Sequence, residues 1–125
     1  MNISDKVIFT GFQGNPGEFL KSLDIFVLAS KQEGLGTSVL DAMSVGLPIV
    51  ATRAGGIPEM ITHHENGLLV PVSDSEALAN ASSELILNPD LRNALANNAK
   101  ESVQRFDING TIDDYLELYK ELVNE

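Results

Sequence analysis

Four short apolar runs, each separated from the next by a stretch too long for a hairpin, constrain this chain more than any other feature. Val7-Ile8-Phe9-Thr10, Ile25-Phe26-Val27-Leu28-Ala29, Ile49-Val50-Ala51-Thr52 and Gly67-Leu68-Leu69-Val70 are continuous rather than alternating. That is the pattern of strands covered on both faces. The segments between them carry helix-start signals. Asn15-Pro16-Gly17-Glu18 offers an N-cap, a proline at the first helical position and a first-turn acid, ahead of Phe19, Leu20 and Leu23. Thr37 to Val45 is a second helical segment, closed by Gly46 and Pro48. A shorter turn of helix is expected around Pro58-Glu59-Met60-Ile61. The alternation predicts an α/β fold in which three right-handed βαβ crossovers join a sheet of about four parallel strands.

From Ser73 onward the pattern is purely helical. Ser73 and Glu76 have the spacing of a capping box, with Leu78, Ala81, Leu85 and Ile86 as the apolar face behind it. Asn88-Pro89 is expected to end that helix and start another, striped by Leu91, Ala94, Leu95, Ala99, Val103 and Phe106. A last helix is expected after Gly110-Thr111, with Ile112, Tyr115, Leu116, Tyr119, Leu122 and Val123 on one side. All three stripes read as packing faces. The organisation is therefore a single domain, residues 1–125, with β/α units in 1–72 and C-terminal helices in 73–125.

Composition narrows the partners. A chain of 125 residues can bury a core without cross-links, and with no cysteine it has neither disulfides nor thiolate chemistry. The formal charge is −10, with seven acids and four bases in residues 1–73 against eleven and four in 74–125. Such a charge repels nucleic acid and anionic membrane surfaces; the first part is where an anionic small molecule is better tolerated. No apolar run approaches the roughly 18 residues of a membrane span, and no signal-type stretch follows Met1 to Lys6. The expected location is the cytoplasm.

In an open parallel sheet, ligands bind beyond the carboxyl ends of the strands. The second run leaves through Ser30-Lys31-Gln32-Glu33-Gly34-Leu35-Gly36-Thr37 into a helix that carries Asp41. Two glycines let backbone N–H groups approach a ligand, and the helix N-terminus behind them favours an anion. Glu33 in the loop and Asp41 about one turn into the helix can both face the same crevice and accept hydrogen bonds from sugar hydroxyls. The same residues also suit a purely structural turn, and the spacing alone leaves both readings open. Gly55-Gly56-Ile57-Pro58-Glu59 is either an edge of the same pocket or a turn the backbone demands. The adjacent His63 and His64 are expected to diverge and form a polar turn rather than a metal site.

The stretch EGLGTSVLDAMSVGLPIVATRAGGIPEMI, Glu33 to Ile61, resembles the donor-site signature of the family 4 retaining glycosyltransferases, whose fold is called GT-B. VIFTG at 7–11, SLDIFVLAS at 22–30, ENGLLVP at 65–71 and the terminal helices extend the similarity along essentially the whole chain. The resemblance implies part of a Rossmann-like, C-terminal nucleotide-sugar domain in a two-domain enzyme that transfers a hexose from a UDP- or GDP-sugar to an acceptor hydroxyl with retention. It places Glu33 at the donor sugar as the catalytic residue. Asp41 falls at the ribose hydroxyls, one methylene shorter than the family's usual Glu. Gly34, Leu35, Gly36 and Thr37 form the loop whose amides face sugar and phosphates. It implies neither a metal nor another cofactor, and a parent enzyme peripheral to the cytoplasmic membrane face.

The Arg and Lys with which the family neutralises the donor diphosphate have no counterpart here, and Lys31 and Arg53 are the only bases near the loops by sequence. The expectation is thus a fragment without its N-terminal acceptor domain, inactive by itself and able to self-associate through an exposed sheet edge beside Val7–Thr10. The rival expectation is a catalytically inactive nucleotide-sugar-binding or protein-interaction module.

Overall fold

Ile49-Val50-Ala51-Thr52 becomes the central strand of the sheet, and its burial accounts for its composition. In the computed structural model of the protein, which describes residues 3–123, all four residues of this strand, β2 (Ile49–Thr52), are buried. It is flanked by β1 (Phe26–Leu28) and β3 (Leu68–Val70) in the order β1-β2-β3, with both pairs parallel. Register places Phe26 beside Ile49, and Val50 beside Leu68. The crossovers are α2 (Thr37–Ser44) between β1 and β2, and α3 (Ile57–Met60) between β2 and β3. A short α1 (Pro16–Leu20) precedes β1, and α4 (Ser75–Leu87), α5 (Pro89–Ser102), a 3₁₀ turn at Val103–Phe106 and α6 (Ile108–Val123) follow β3.

Side chains alternate across the pleat, so β2 feeds two cores. Ile49 and Ala51 pack with Val39, Met43, Ile57 and Ile61 on the α2 and α3 side. Val50 packs with Leu68, Val70, Ala81, Leu85 and Leu95 under α4 and α5. The stripes read from α4 and α5 are therefore packing faces at Leu78, Ala81, Leu85, Leu91, Leu95, Ala99, Val103 and Phe106, but Ile86 and Ala94 lie exposed outside them. Local capping follows the sequence at two points: the Asn15 side chain accepts the Glu18 N–H at 3.3 Å, and Asn88 ends α4 while accepting the Leu91 N–H at 3.1 Å to start α5.

Several expectations need correction. The sheet has three strands, because Val7–Thr10 forms none: Val7, Ile8 and Phe9 are 44%, 85% and 95% exposed. An extended segment is stabilised by cross-strand neighbours and not by its own pattern, and among the described residues none is beside it. The open edge consequently lies at β1, where Val27 is 44% exposed. Ser73 does not cap α4. Its φ of +63° turns it out of the helix, and Asp74 takes the Ala77 N–H at 2.9 Å. The last helix begins at Ile108, ahead of Gly110, because Asp107 accepts the Asn109 N–H at 2.8 Å. Finally, α6 buries none of its residues, so its apolar stripe is not a packing face within this structure. Among the described residues no helix is long and apolar enough to cross a membrane.

Candidate functional site

The loop from Ser30 to Gly36 connects the carboxyl end of β1 to α2, and glycine determines how it arrives there. Gly36 is the N-cap of α2 with φ +72°, buried against Ile57 and Met60, where a Cβ would stand 3.0 Å from Ile57 Cγ1. A left-handed residue with no room for a side chain must be glycine. Gly34 is the opposite case, exposed and with open space around it. Leu35, at the tip, is 76% exposed, and Thr37, the first residue of α2, is exposed.

Glu33 is half-buried, and its Oε2 accepts a hydrogen bond from Ser30 Oγ at 2.9 Å. The Ser30 carbonyl in turn accepts from Thr52 Oγ1 at 2.6 Å, tying the loop to the end of β2. Beneath it runs Gly55–Gly56: the Gly56 N–H donates to the Gly34 carbonyl at 2.9 Å. Gly55–Gly56 is thus a support that touches the Glu33 loop, and Gly56 also edges the groove beside Leu35 and Thr37. Sequence reasoning does not single out Ser30 or Thr52. The signal available was a Thr closing an otherwise apolar strand and a Ser three residues ahead of the loop acid.

Asp41 sits on the exposed side of α2 and lines a shallow groove of about 320 Å³ with Leu40, Ser44, Val103, Phe106 and Asp107. Leu35 and Thr37 line a neighbouring groove of about 250 Å³ with Gly56, Glu59 and Arg105; Leu40 and Phe106 form a wall common to both. The structure thus carries Glu33, Gly34, Leu35 and Gly36 on one loop with Thr37 at the start of α2, and sets Asp41 one turn further on, in a groove that faces the C-terminal segment and that Glu33 does not line.

Arg105 corrects the expectation that Lys31 and Arg53 are the only bases near the loops. It donates to the Glu59 carbonyl at 2.6 Å, with its guanidinium 4.8 Å from the Phe106 ring centre. Lys31 and Arg53 are both exposed.

The histidine pair lies off the loop. His63 Nδ1 accepts the Leu69 N–H at 3.0 Å, at the middle of β3. Desolvation first, then the charges of His64 and Arg53, hold its pKa below the usual histidine value, against an opposing pull from Glu84. The two rings meet edge to face at 4.2 Å rather than diverging, because His64 is turned back by a φ of +63°. Among the described residues no three His, Cys, Asp or Glu side chains gather where they could hold a metal.

A parallel β/α sheet with a glycine-bounded acidic loop at its carboxyl end defines a Rossmann-like α/β domain. The family model for glycosyl transferases group 1 matches residues 1–102, and the chain belongs to that family. It is 33% identical over its whole length to the N-acetyl-alpha-D-glucosaminyl L-malate synthase of Bacillus anthracis, of which it covers 33%. It is 37% identical over 101 residues to the D-inositol 3-phosphate glycosyltransferase of Saccharomonospora viridis, covering 81% of this chain and 23% of that one. Among solved structures, Anabaena HepE in complex with UDP superposes with a TM-score of 0.90 at 29% identity, over 95% of this chain and 33% of that one. The chain thus spans between about a quarter and a third of the length of these relatives, and its fold is that of part of a GT-B glycosyltransferase.

Proposed function

We propose that this chain is the donor-binding part of a family 4 retaining hexosyltransferase that takes its sugar from a nucleotide diphosphate carrier. The observation that carries the reading is the loop itself: Glu33 is held by Ser30 on a segment whose outer side, at Gly34, is open. Glu33 acts at the donor sugar, where a fixed carboxylate stabilises the positive charge that develops as the nucleotide leaves. Gly34, Leu35, Gly36 and Thr37 present amides to sugar and phosphates. Asp41 holds the ribose hydroxyls as a hydrogen-bond acceptor. The similarity to HepE structures that contain UDP and UDP-glucose supports a UDP-sugar among the alternatives.

The acceptor is bound by a second domain outside these residues, and residues 1–72 and 73–125 act as one unit. The parent works in the cytoplasm. The 125-residue chain alone binds nucleotide sugars at roughly millimolar Kd, about −4 kcal/mol, and does not turn over. One observation favours the rival, a binding module without catalysis: the loops of this acidic chain offer only the exposed Lys31 and Arg53, with Arg105 already engaged by a backbone carbonyl.

The deciding experiment uses the chain within an enzyme of the relatives' full length. Glu33→Gln should lower kcat by roughly 10²-fold with a smaller change in donor KM. Asp41→Asn should mainly raise donor KM, by the ~1.5–3 kcal/mol of a charge-assisted hydrogen bond, and Asp41→Glu should be tolerated. Chelator should leave the rate unchanged, and the product should keep the donor's anomeric configuration. Full activity in both Glu33→Gln and Asp41→Asn would remove these roles.

A further inference from the structure

The end of β2 is bonded to the loop that carries Glu33, and we infer that Thr52, acting through Ser30, is the positioning residue for that carboxylate. The inference rests on the proposed donor site for its consequence, but its geometry stands apart from it. Thr52 closes a buried apolar strand and is only 3% exposed. Valine has the same shape, and a hydroxyl at such a depth is unfavourable unless it is hydrogen-bonded. Thr52 Oγ1 meets that need at the Ser30 carbonyl, 2.6 Å away, with the Leu28 carbonyl at 3.5 Å. Ser30 then uses its own hydroxyl on Glu33 Oε2 at 2.9 Å. One bond fixes the main chain of Ser30 and the other transmits that position to the carboxylate.

The backbone beneath the loop acts on the same residue. Gly55 has φ +51°, and a Cβ there would fall on the Glu33 carbonyl oxygen and within 2.6 Å of its carbon. At Gly56 a Cβ would lie 3.2 Å from the carbonyl oxygens of both Gly34 and Leu35, while its N–H holds the first of these. The loop is therefore fixed on its inner side over Glu33, Gly34 and Leu35 and free on its outer side at Gly34. The arrangement fixes Glu33 while leaving room for a ligand.

The test uses the 125-residue chain and two readouts. The first is NMR of the Glu33 side-chain carbons and of the amides from Glu33 to Gly36. Thr52→Val should move these resonances in the direction that Ser30→Ala moves them, and Thr52→Ser should restore them. The second is the affinity for UDP-glucose relative to UDP, which Thr52→Val should lower roughly fivefold while UDP affinity stays constant. Gly55→Ala, whose Cβ would overlap the Glu33 carbonyl, is not needed for either.

Unmoved Glu33 resonances in a folded Thr52→Val chain would overturn the inference. So would an affinity ratio unchanged by Thr52→Val but lowered by Glu33→Gln. If Thr52→Val moves the resonances and Glu33→Gln leaves the ratio unchanged, the positioning holds and the sugar-binding role of Glu33 falls instead.

Discussion

Val7-Ile8-Phe9-Thr10 and Ile49-Val50-Ala51-Thr52 are nearly the same word written twice, yet one lies exposed as coil and the other is the buried centre of the sheet. Each is four residues, apolar, largely β-branched and closed by Thr. The second has β1 on one side, β3 on the other and helices across both faces; the first has none of these. Strand propensity therefore describes a surface that suits a sheet, and pairing decides whether the sheet is joined. The C-terminal helices repeat the contrast, since α5 buries Leu95 and Ala99 whereas the equally striped α6 buries nothing.

The strongest way to break this comparison is to delete the same atoms in both words. Ile49→Ala empties a fully buried site and should lower unfolding free energy by about 2–5 kcal/mol. Ile8→Ala should change it by less than about 0.5 kcal/mol. Urea denaturation of the two variants measures both. A loss of similar size at Ile8 would mean that Val7–Thr10 is packed in solution.

A second test sharpens the comparison at the open edge. The chain carries an unpaired β1 edge together with an unpaired strand-like segment, and we propose that copies associate through that edge at high concentration. A lysine on an edge strand opposes such pairing. Sedimentation should show an apparent mass that rises with concentration for the natural chain and stays monomeric for Val27→Lys. Identical sedimentation of the two would remove the edge from the interface.

A smaller effect is expected where the two kinds of region meet. Arg105, just before α6, donates to the last turn of α3 through the Glu59 carbonyl at 2.6 Å and lies 3.5 Å from that of Met60. Arg105→Ala should cost about 1 kcal/mol, the usual net value of such a bond, and should speed amide exchange in α6 relative to α2. Unchanged exchange in α6 would show that the clasp does not restrain that helix.

What the sequence made legible follows from how local each signal is. The caps at Asn15 and Asn88, the crossovers around Thr37–Ser44 and Ile57–Met60 and the three paired strands all announce themselves within a few residues. So does the placement of the Glu33–Thr37 loop at a strand's carboxyl end. Periodicity shows that α6 has an apolar side but is silent on what covers it. The pattern of Val7–Thr10 is equally silent on its neighbour. The Thr52–Ser30 bond beneath Glu33 and the Arg105 clasp join residues 22 and 46 positions apart, so no short window along the chain contains both partners of either. The roles given to Glu33 and Asp41 came from family resemblance, because two carboxylates at this spacing suit a solvated turn equally well.

The smallest expected effect concerns the edge of the sheet opposite β1. His63 supports β3 by accepting the Leu69 N–H on Nδ1, which only the unprotonated nitrogen can do. Burial, His64 and Arg53 lower its pKa below the unfolded value of 6.5, with Glu84 pulling the other way. At pH values between the folded and unfolded pKa the unfolded chain binds more protons than the folded one, so stability rises with pH there. The contribution is fully present above the unfolded pKa and is lost as pH falls through the lower, folded one. His63→Asn places an oxygen acceptor near the position of Nδ1 and does not titrate. The urea midpoint of the natural chain should therefore fall more steeply than that of His63→Asn on acidification from pH 7.5 to 5. Subtracting the two profiles cancels the carboxylates that lie away from residue 63, which both chains share. Parallel profiles would mean that the bond to Leu69 survives protonation or contributes nothing to holding β3 in place.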